Sequence, residues 1–262
     1  MKITVLASGS KGNATYIETA QTKLLIDAGI SHRQLRSKLL ENNIHLTTLD
    51  AVFISHEHTD HTKGLVNILK QTQATLYTTE KTYVHLVSKT TYDLADAPFV
   101  PVHPDQPLRI HDLTIDAIRI SHDAVDTLGF IVYNGHKKLV HMTDIGYLPV
   151  EDYPKIENAE TYVFESNYDV SLLFSSNRPY YLKRRIDSIK GHLSNADSAY
   201  HLSRIIGHKT RRIILAHPSE ECNTERHALE TIKEVFTSYD IDPTNYEIIV
   251  AQQHRPTKVY EI

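Results

Sequence analysis

Three histidines, a glutamate and an aspartate crowd into the segment HEHTDH, residues 56–61, directly after an apolar stretch that predicts a buried strand. In an extended loop, alternate side chains project to the same side, so His56 and His58 can share one ion. Asp60 and His61 lie on the following turn and can share a second ion. Imidazole and carboxylate groups bind zinc, manganese or iron. The spacing therefore predicts a metal site rather than a solvated, histidine-rich turn.

The segment HEHTDH cannot supply all the ligands for two ions, and three further strand ends offer candidates. His122 follows the predicted strand 115–121, Asp144 follows residues 139–143, and His217 follows residues 211–216. If these strand ends meet at one sheet edge, the three side chains complete a two-metal site. Asp144 is then the natural bridge between the ions.

Hydrophobic periodicity and turn signals divide the chain into strands and helices. Strands are predicted over residues 3–8, 15–19, 23–29, 49–55, 74–79, 108–121, 128–144, 161–167, 211–216 and 246–251, and helices over residues 31–44, 61–72, 80–90, 194–206 and 223–238. Asn134 and Gly135 mark a hairpin turn. No linker or repeat interrupts this pattern. It predicts one α/β domain over residues 1–262, with two sheets and the helices outside them.

The composition indicates the cellular compartment of the protein and restricts which residue types can bind a metal. The chain has 262 residues and a net charge of −4, so its surface as a whole does not predict nucleic-acid binding. Its one cysteine, Cys222, excludes an internal disulfide and a thiolate-rich zinc site, and favours a cytoplasmic protein. No stretch predicts a membrane span. Most of the 17 histidines, His141 among them, are interpreted as surface or capped residues.

These segments together resemble the metallo-β-lactamase fold, a four-layer αββα sandwich of two mixed sheets with helices outside. The resemblance rests on HEHTDH, on Asp27 at the end of LLIDAG, and on His122, Asp144 and His217. It implies that His56, His58 and His122 hold a first divalent ion. It implies that Asp60, His61 and His217 hold a second, with Asp144 between the two. Asp27 would not bind an ion itself but would orient the ligands through hydrogen bonds.

A second carboxylate–histidine pair can be identified downstream. Glu165 ends an apolar stretch and is followed by Asn167, and His192 precedes a helix whose N-cap is Ser194 or Asn195. A carboxylate beside an imidazole fixes its tautomer and favours its protonated form, which predicts that Glu165 and His192 form a general acid. The amides near the helix start, with Ser194, Asn195 and Asn167, could hold a phosphate. The alternative is a helix-terminal histidine without a partner.

The N-terminal segment SGSKGN, residues 8–13, has the composition of an anion-binding loop. Gly9 and Gly12 permit positive φ angles, so successive N–H groups can face one phosphate. The side chains of Ser10, Lys11 and Asn13 would add donors. A plain β-turn is an equally good interpretation of this segment alone.

Six segments, SGSKGN, HEHTDH, SHDA, TDIGY, ESNYD and GHLSN, together resemble the nucleic-acid-processing branch of the metallo-β-lactamase family, and within it the small YycJ/WalJ-type group. The same branch contains RNase Z and the β-CASP nucleases. The resemblance implies a 5′→3′ exonuclease that acts on DNA. Two features depart from the branch: the interval between Glu165 and His192 is too short for a β-CASP insertion, and Pro218 stands where leucine is expected.

A basic segment, residues 178–190, precedes His192. It contains Lys183, Arg184 and Arg185 next to a pair of tyrosines, Tyr180 and Tyr181. Phosphate attraction combined with base stacking is what binding of a single strand requires. The segment therefore predicts a substrate clamp, and the alternative is a solvated helix face with core tyrosines.

The resulting hypothesis is two-metal hydrolysis of a phosphodiester, with Mn²⁺ or Zn²⁺ as the ions and iron as a further option. Asp60 and Asp144 would orient the attacking water, and His192, supported by Glu165, would protonate the leaving oxygen. DNA is favoured over RNA as the substrate. Two other classes remain open: a hydrolase of a small ester, thioester or lactam, and a metal-bound protein without catalytic activity.

Overall fold

The computed structural model describes residues 1–46, 48–89 and 94–262 and contains two mixed sheets of seven strands each. The first sheet has the order β14-β1-β2-β3-β4-β5-β6. Its strands are β1 (Lys2–Ala7), β2 (Ala14–Glu18), β3 (Lys23–Ile26), β4 (Ala51–Phe53), β5 (Thr75–Thr78), β6 (Phe99–Pro101) and β14 (Tyr260–Glu261). Strands β3 to β6 run parallel to one another, whereas β14, β1, β2 and β3 pair antiparallel.

The second sheet has the order β13-β12-β11-β10-β9-β8-β7. Its strands are β7 (Leu108–Ile110), β8 (Leu113–Ile120), β9 (Thr127–Asn134), β10 (Lys137–Met142), β11 (Thr161–Glu165), β12 (Arg212–Ala216) and β13 (Glu247–Val250). Strands β7 to β10 pair antiparallel, and β10 to β13 pair parallel. Strands β8, β10, β11 and β12 therefore all end at the same edge of this sheet.

Nine α-helices lie in the described part of the chain: α1 (His32–Leu40), α2 (Thr59–Thr62), α3 (Leu65–Thr72), α4 (Glu80–Lys89), α5 (Tyr153–Ile156), α6 (Val170–Ser175), α7 (Tyr180–Ile186), α8 (Asn195–Ile205) and α9 (Glu225–Ser238). None of these helices is long and apolar enough to cross a bilayer. Ser31 caps α1 through a capping box with Gln34.

Three apolar clusters show how the layers stack. One cluster contains inward-facing residues of both sheets, such as Phe53 and Phe130, and forms the layer between them. A second joins the outer face of the second sheet to α8 and α9, and a third joins the outer face of the first sheet to α1, α3 and α4. The layer order is helix, sheet, sheet, helix, which confirms the predicted α/β sandwich.

Local backbone geometry divides two of the predicted elements. The predicted strand 108–121 is a hairpin, because His111 adopts a φ of 50° and Ile110 pairs with Leu113 across the turn. The predicted helix 61–72 is interrupted at Gly64, whose N–H donates to Ala28 O at 2.7 Å and not to a carbonyl of its own helix. The last residue of the predicted helix 80–90, Thr90, lies outside the described residues.

The interpretation of His141 as a surface residue is wrong. His141 lies on β10 and is 4% exposed, and its Nε2 is 3.0 Å from Thr15 Oγ1 on β2 of the other sheet. Burial lowers the pKa of this imidazole to about 4. His141 is therefore a neutral histidine that joins the two sheets by a hydrogen bond.

Candidate metal centre

The predicted ligands all follow strand ends at one rim of the sandwich. HEHTDH follows β4 of the first sheet, whereas His122, Asp144 and His217 follow β8, β10 and β12 of the second sheet. Within the described residues, four groups of candidate ligands have potential donor atoms that all lie within 4.8 Å of one another. Two of them, His56 with His58 and His122, and Asp60 with His61 and His217, are the groups that the resemblance implies. Asp144 belongs to the other two groups, one with His56 and His61 and one with Glu165, His192 and His217.

Asp144 lies between the two groups. Its Oδ2 is 3.1 Å from His61 Nε2, and its Oδ1 is 3.7 Å from His122 Nε2 and 3.4 Å from His217 Nδ1. Asp60 Oδ2 lies 3.5 Å from His61 Nε2 and 3.6 Å from His217 Nε2, so it is close to both histidines of its own group. The position of Asp144 fits the bridging role that the resemblance implies.

Three of the strand-end residues have an unusual backbone conformation. Asp27, Asp144 and His217 have φ angles of 61°, 60° and 55°, in the left-handed region that residues with a Cβ rarely adopt. Such conformations persist only where the surrounding structure enforces them, and they are common at functional sites. Each one turns the chain sharply at the end of a parallel strand, which brings the side chain back over the rim.

Asp27 supports the ligands from behind, as the resemblance implies. Its Oδ1 accepts hydrogen bonds from the N–H and Oγ of Ser55 at 2.8 and 2.9 Å, and its Oδ2 accepts from His61 Nδ1 at 2.8 Å. Ser55 Oγ lies 3.0 Å from His56 Nδ1. One buried carboxylate thus positions one histidine of each group.

The donor set fits divalent transition metals. Nδ1 of His61 faces Asp27, Nδ1 of His122 donates to Gly191 O at 3.0 Å, and Nδ1 of His217 donates to Glu165 Oε1 at 2.9 Å. When each imidazole is neutral, this pattern leaves its Nε2 unprotonated and available to a cation. Within the described residues, the buried Nε2 atoms of His56 and His217 have no hydrogen-bond partner. Buried nitrogen atoms without a partner are unfavourable unless something else binds there.

The charges in the cluster also favour a cation. Burial disfavours a protonated His217, yet the charge of Asp144, the Asp60 carboxylate 3.6 Å from its Nε2 and the hydrogen bond to Glu165 raise its pKa to about 10. Burial likewise opposes protonation of His61, but the carboxylates of Asp27, Asp144 and Asp60 raise its pKa well above the usual value. The pKa of His56 is lowered by burial and by neighbouring imidazoles. The carboxylates thus require positive charge in the site, which bound divalent ions would provide.

Glu165 and His192 form the predicted pair. Glu165 Oε1 accepts hydrogen bonds from His192 Nδ1 and His217 Nδ1, both at 2.9 Å. Its Oε2 accepts from the N–H groups of Ile145 and Leu193 at 2.7 and 3.0 Å. Burial would raise the pKa of this carboxyl, but the charge of His192 and its hydrogen bond lower it to about 2. Glu165 is therefore an ionised acceptor that joins His192 to a predicted metal ligand.

The segment SGSKGN is not the open anion-binding loop that was predicted. The N–H groups of Gly9, Lys11, Gly12 and Asn13 donate to Asn13 Oδ1, Gln253 Oε1, Gly9 O and Asp60 O. Ser10 is exposed, and the Lys11 ammonium pairs with Glu220. Asn13 is buried, with its Nδ2 3.3 Å from Asp60 Oδ2 and 3.0 Å from His61 Nε2. The loop thus packs against the predicted ligands, and its amides are already used within the protein.

Asn167, Ser194 and Asn195 are also occupied within the protein, contrary to the prediction that they bind phosphate. Asn167 Nδ2 donates to His217 O at 2.7 Å. Ser194 caps α8, accepting from Asp197 N at 3.1 Å. The Asn195 side chain bonds to Ser166 and Asn223. These residues hold the loops around His217 and His192 in place.

The basic segment is exposed only in part. The Lys183 ammonium is buried and donates to the carbonyls of Phe174 and Ser176, both at 2.6 Å, so its prediction as a substrate contact is wrong. Arg184 pairs with Asp187 at 3.0 Å and Arg185 with Asp123 at 2.5 Å, and both arginines remain exposed. The tyrosines Tyr180 and Tyr181 are 71% and 75% exposed, which excludes their interpretation as core residues.

Three residues next to the predicted ones were missed by the sequence analysis. Ser8 Oγ accepts from His217 N at 2.7 Å, Ser55 joins Asp27 to His56, and Asp123 Oδ1 lies 3.3 Å from His122 Nε2. Ser55 and Asp123 are direct neighbours of a predicted ligand in the chain, and Ser8 opens SGSKGN. Adjacency to a candidate ligand was therefore a usable signal.

Comparisons with known proteins agree with this geometry. Residues 22–218 match the Beta-lactamase superfamily domain. The chain is 35% identical to the exodeoxyribonuclease WalJ of Streptococcus pneumoniae over 92% of this chain and 90% of the relative, and 31% identical to the exodeoxyribonuclease YycJ of Bacillus anthracis over 99% and 98%. The metallo-β-lactamase fold protein YhfI of Bacillus subtilis matches with a TM-score of 0.73 at 20% identity, covering 99% of both chains.

The structural likeness shows the fold, and the family match extends over most of the chain. Together with the histidine and aspartate groups at the rim, they confirm the resemblance that HEHTDH indicated. This chain belongs to the metallo-β-lactamase superfamily and is a metal-dependent hydrolase.

Proposed function

We propose that this protein is a two-metal phosphodiesterase that degrades DNA as a 5′→3′ exonuclease. The observation that carries the proposal is the shared carboxylate of Glu165, which binds both His192 and the predicted ligand His217. A proton donor fixed next to a metal group suits hydrolysis that expels a poor leaving group. Two relatives that align over 90% or more of their length are named exodeoxyribonucleases, which supports DNA as the substrate.

The predicted ligands are seven residues, four from HEHTDH and three from the later strand ends: His56, His58, Asp60, His61, His122, Asp144 and His217. When bound, two divalent cations supply Lewis acidity at the phosphate and lower the pKa of water towards neutrality. Asp60 and Asp144 orient the attacking water through their carboxylate oxygens. Asp27 and Asn13 keep the ligands of the second group in place.

His192 provides the proton that the leaving oxygen needs. Water adds to phosphorus and releases one proton to solvent, the bond from phosphorus to O3′ breaks, and the imidazolium gives its proton to O3′. His192 then takes up a proton from solvent for the next cycle. Nδ1 of His192 is bound to Glu165, so Nε2 is the donor. The side chain is 20% exposed, which leaves it accessible to the substrate. Each cycle releases one nucleotide from the 5′ end and leaves a new 5′-phosphate on the strand.

The test uses single-stranded DNA and RNA oligonucleotides with a 5′-phosphate or a 5′-hydroxyl, labelled at one end or the other. In Mn²⁺ or Zn²⁺, we expect 5′-labelled DNA to give labelled mononucleotide first and 3′-labelled DNA to give a ladder of shortening fragments. EDTA should abolish both. The Asp144→Asn variant is the matched control, because asparagine tolerates the left-handed backbone at this position.

Several outcomes would contradict the proposal in separable ways. Labelled fragments of intermediate length from 5′-labelled DNA would indicate an endonuclease. Cleavage of RNA alone would exclude DNA as the substrate. Cleavage of a thioester or lactam without cleavage of either nucleic acid would favour the small-substrate class. Equal hydrolysis by the wild type and by Asp144→Asn would exclude the metal mechanism.

A further inference from the structure

A cavity of about 580 Å³ lies beside His192, and the proposed mechanism leaves it unused. It is lined by Tyr147, from the loop after β10, and by Tyr200 of α8. Ile189 and Leu193 contribute apolar surface. The side chains of Tyr147, Ile189 and Tyr200 are 51%, 70% and 43% exposed, so large apolar surfaces remain uncovered at this place.

Hydrogen bonds and close backbone packing fix the wall of the cavity that lies next to the candidate metal centre. Ser121 Oγ donates to Ile189 O at 2.6 Å, and Gly146 N donates to Ser121 O at 2.7 Å. A Cβ on Gly146 would lie 2.4 Å from Ile189 O, so the two loops pack backbone to backbone. The cavity is therefore preformed, which lowers the entropic cost of binding.

The position of His192 determines which part of the substrate lies here. The proton donor must contact the leaving oxygen, so the group that carries this oxygen lies on the side of His192. In 5′→3′ degradation that group is the terminal nucleoside. A cavity of this size accommodates a base and its sugar, whereas the other cavity that His192 lines, together with Gly191 and Arg185, has only about 150 Å³.

The charges of the lining favour a base over a phosphate. Asp187 and Asp197 both line the cavity, and Arg184 is already paired with Asp187 at 3.0 Å. Among the lining residues, Asp197 keeps its negative charge and Arg184 is used by Asp187, so His192 would be the cation left for a second phosphate, and in the proposed mechanism it faces the leaving oxygen. A neutral base would not be repelled. Aromatic rings are suitable partners for any base, because every base has a π-face.

We infer that this cavity binds the terminal nucleoside of the substrate, whose base stacks on Tyr147 and Tyr200. The inference rests on the proposed function and adds to it a pocket for the terminal nucleoside. It assigns these tyrosines to positioning of the leaving group. The pocket should favour a 5′-terminal nucleotide that carries a base, whichever base that is.

The test compares two DNA oligonucleotides that differ only at the 5′-terminal nucleotide, one with a normal base and one with an abasic tetrahydrofuran analogue. The wild type should degrade the normal end about 10-fold faster in kcat/KM, as expected for loss of one stacked base. Tyr147→Ala and Tyr200→Ala should lose this preference. Tyr147→Phe and Tyr200→Phe should retain it, because the ring remains.

A binding measurement separates this inference from the proposed function. The fluorescence of 2-aminopurine deoxynucleoside 5′-monophosphate should be quenched by the wild type and both Phe variants in EDTA, and not by the Ala variants. Equal rates on both ends, together with no quenching, would overturn the inference while leaving the nuclease activity intact. Quenching by a protein that hydrolyses no DNA would overturn the proposed function but would still support nucleoside binding in this cavity.

Discussion

Each of the buried histidines at the rim is oriented through its Nδ1. His61 Nδ1 donates to Asp27, His122 Nδ1 donates to the carbonyl of Gly191, and His217 Nδ1 donates to Glu165. The acceptors are a carboxylate that directly follows β3, a loop carbonyl and a carboxylate from β11, so three distant parts of the chain fix the ligands. The orientation of the site therefore depends on residues that touch no substrate.

Replacing Asp27 with alanine should weaken both the fold and metal binding. The change leaves the buried N–H of Ser55 and Nδ1 of His61 without an acceptor, which destabilises by about 1–3 kcal/mol. Loss of such an outer hydrogen bond lowers metal affinity by about 10- to 100-fold. Metal content by mass spectrometry and urea unfolding would measure the two effects. Asp240→Ala is the control, since Asp240 also has positive φ, at 57°. Unchanged metal content in Asp27→Ala would disprove the role.

Removing His192 should slow the chemistry in proportion to the basicity of the leaving group. His192→Ala should lower kcat on DNA by about 10²- to 10⁴-fold, and much less on a p-nitrophenyl phosphodiester, because p-nitrophenolate leaves without a proton. Steady-state kinetics on both substrates make the comparison, with Asp144→Asn, inactive on both, as a reference. A similar loss on the two substrates would exclude the general-acid role.

Ligands and their supporting residues differ in how well the sequence predicts them. His56, His122 and Asp144 were predicted because metal ligands have a restricted chemistry and here follow apolar strands directly. Asn13, Asn167 and Lys183 were assigned to phosphate binding, yet they bond to protein atoms. An amide or an ammonium can bind either kind of partner, and the choice depends on distant segments that only the folded chain brings together.

At the scale of elements, the break between α2 and α3 allows the loop after β3 to approach. A Cβ on Gly64 would lie 1.8 Å from Ile30 O and 2.8 Å from Ile30 C. The sequence contains the glycine, but its helical periodicity continues across it, so one helix was predicted. The packing partner at Ala28–Ile30 is far away in the sequence, and local pattern cannot reveal it.

Gly64→Ala should therefore destabilise the protein by about 3 kcal/mol, since a backbone oxygen cannot move aside as a side chain would. Gly135→Ala is the matched control: an added Cβ meets nothing within 4 Å, and only its φ of 58° costs about 1 kcal/mol. Urea denaturation measures both changes. Equal losses would show that steric overlap at Gly64 is not the cause.

The burial of His141 between the two sheets should make the protein sensitive to acid. The folded pKa of about 4 lies below the unfolded value of 6.5, so the unfolded chain takes up a proton first as the pH falls. Stability is then present above pH 6.5 and is lost towards pH 4, by about 3 kcal/mol from this group.

His141→Gln keeps a nitrogen in place of Nε2 without the titration, and it should flatten that part of the stability profile. His136→Gln, at an exposed position, should leave the profile as in the wild type. Urea unfolding at several pH values between 4 and 7 provides the measurement. A profile unchanged by His141→Gln would assign the acid sensitivity to other groups.

At the scale of the whole molecule, the two predicted ion sites join the two sheets. Each group takes ligands from the loop after β4 of the first sheet and from strand ends of the second. A single domain over residues 1–262 remains a prediction.

Removing the cations should therefore lower the stability of the entire protein. A cation at about 1,000 times its Kd contributes about 4 kcal/mol, and its removal by EDTA should lower Tm by about 10 °C. Scanning calorimetry with and without EDTA tests this, and adding back Zn²⁺ or Mn²⁺ should restore Tm. In His122→Ala, the effect of EDTA should be smaller. An identical Tm in all conditions would mean that the sheets do not depend on the ions.

The positive φ angles at Asp27, Asp144 and His217 have a consequence for protein engineering. Glycine would relieve such a conformation, but at Asp27 it would leave Ser55 N–H and His61 Nδ1 without an acceptor, and at Asp144 or His217 it would remove a predicted ligand. A screen that rewards thermal resistance in the presence of the ions should therefore retain all three residues. Durability and turnover would be selected together at these positions.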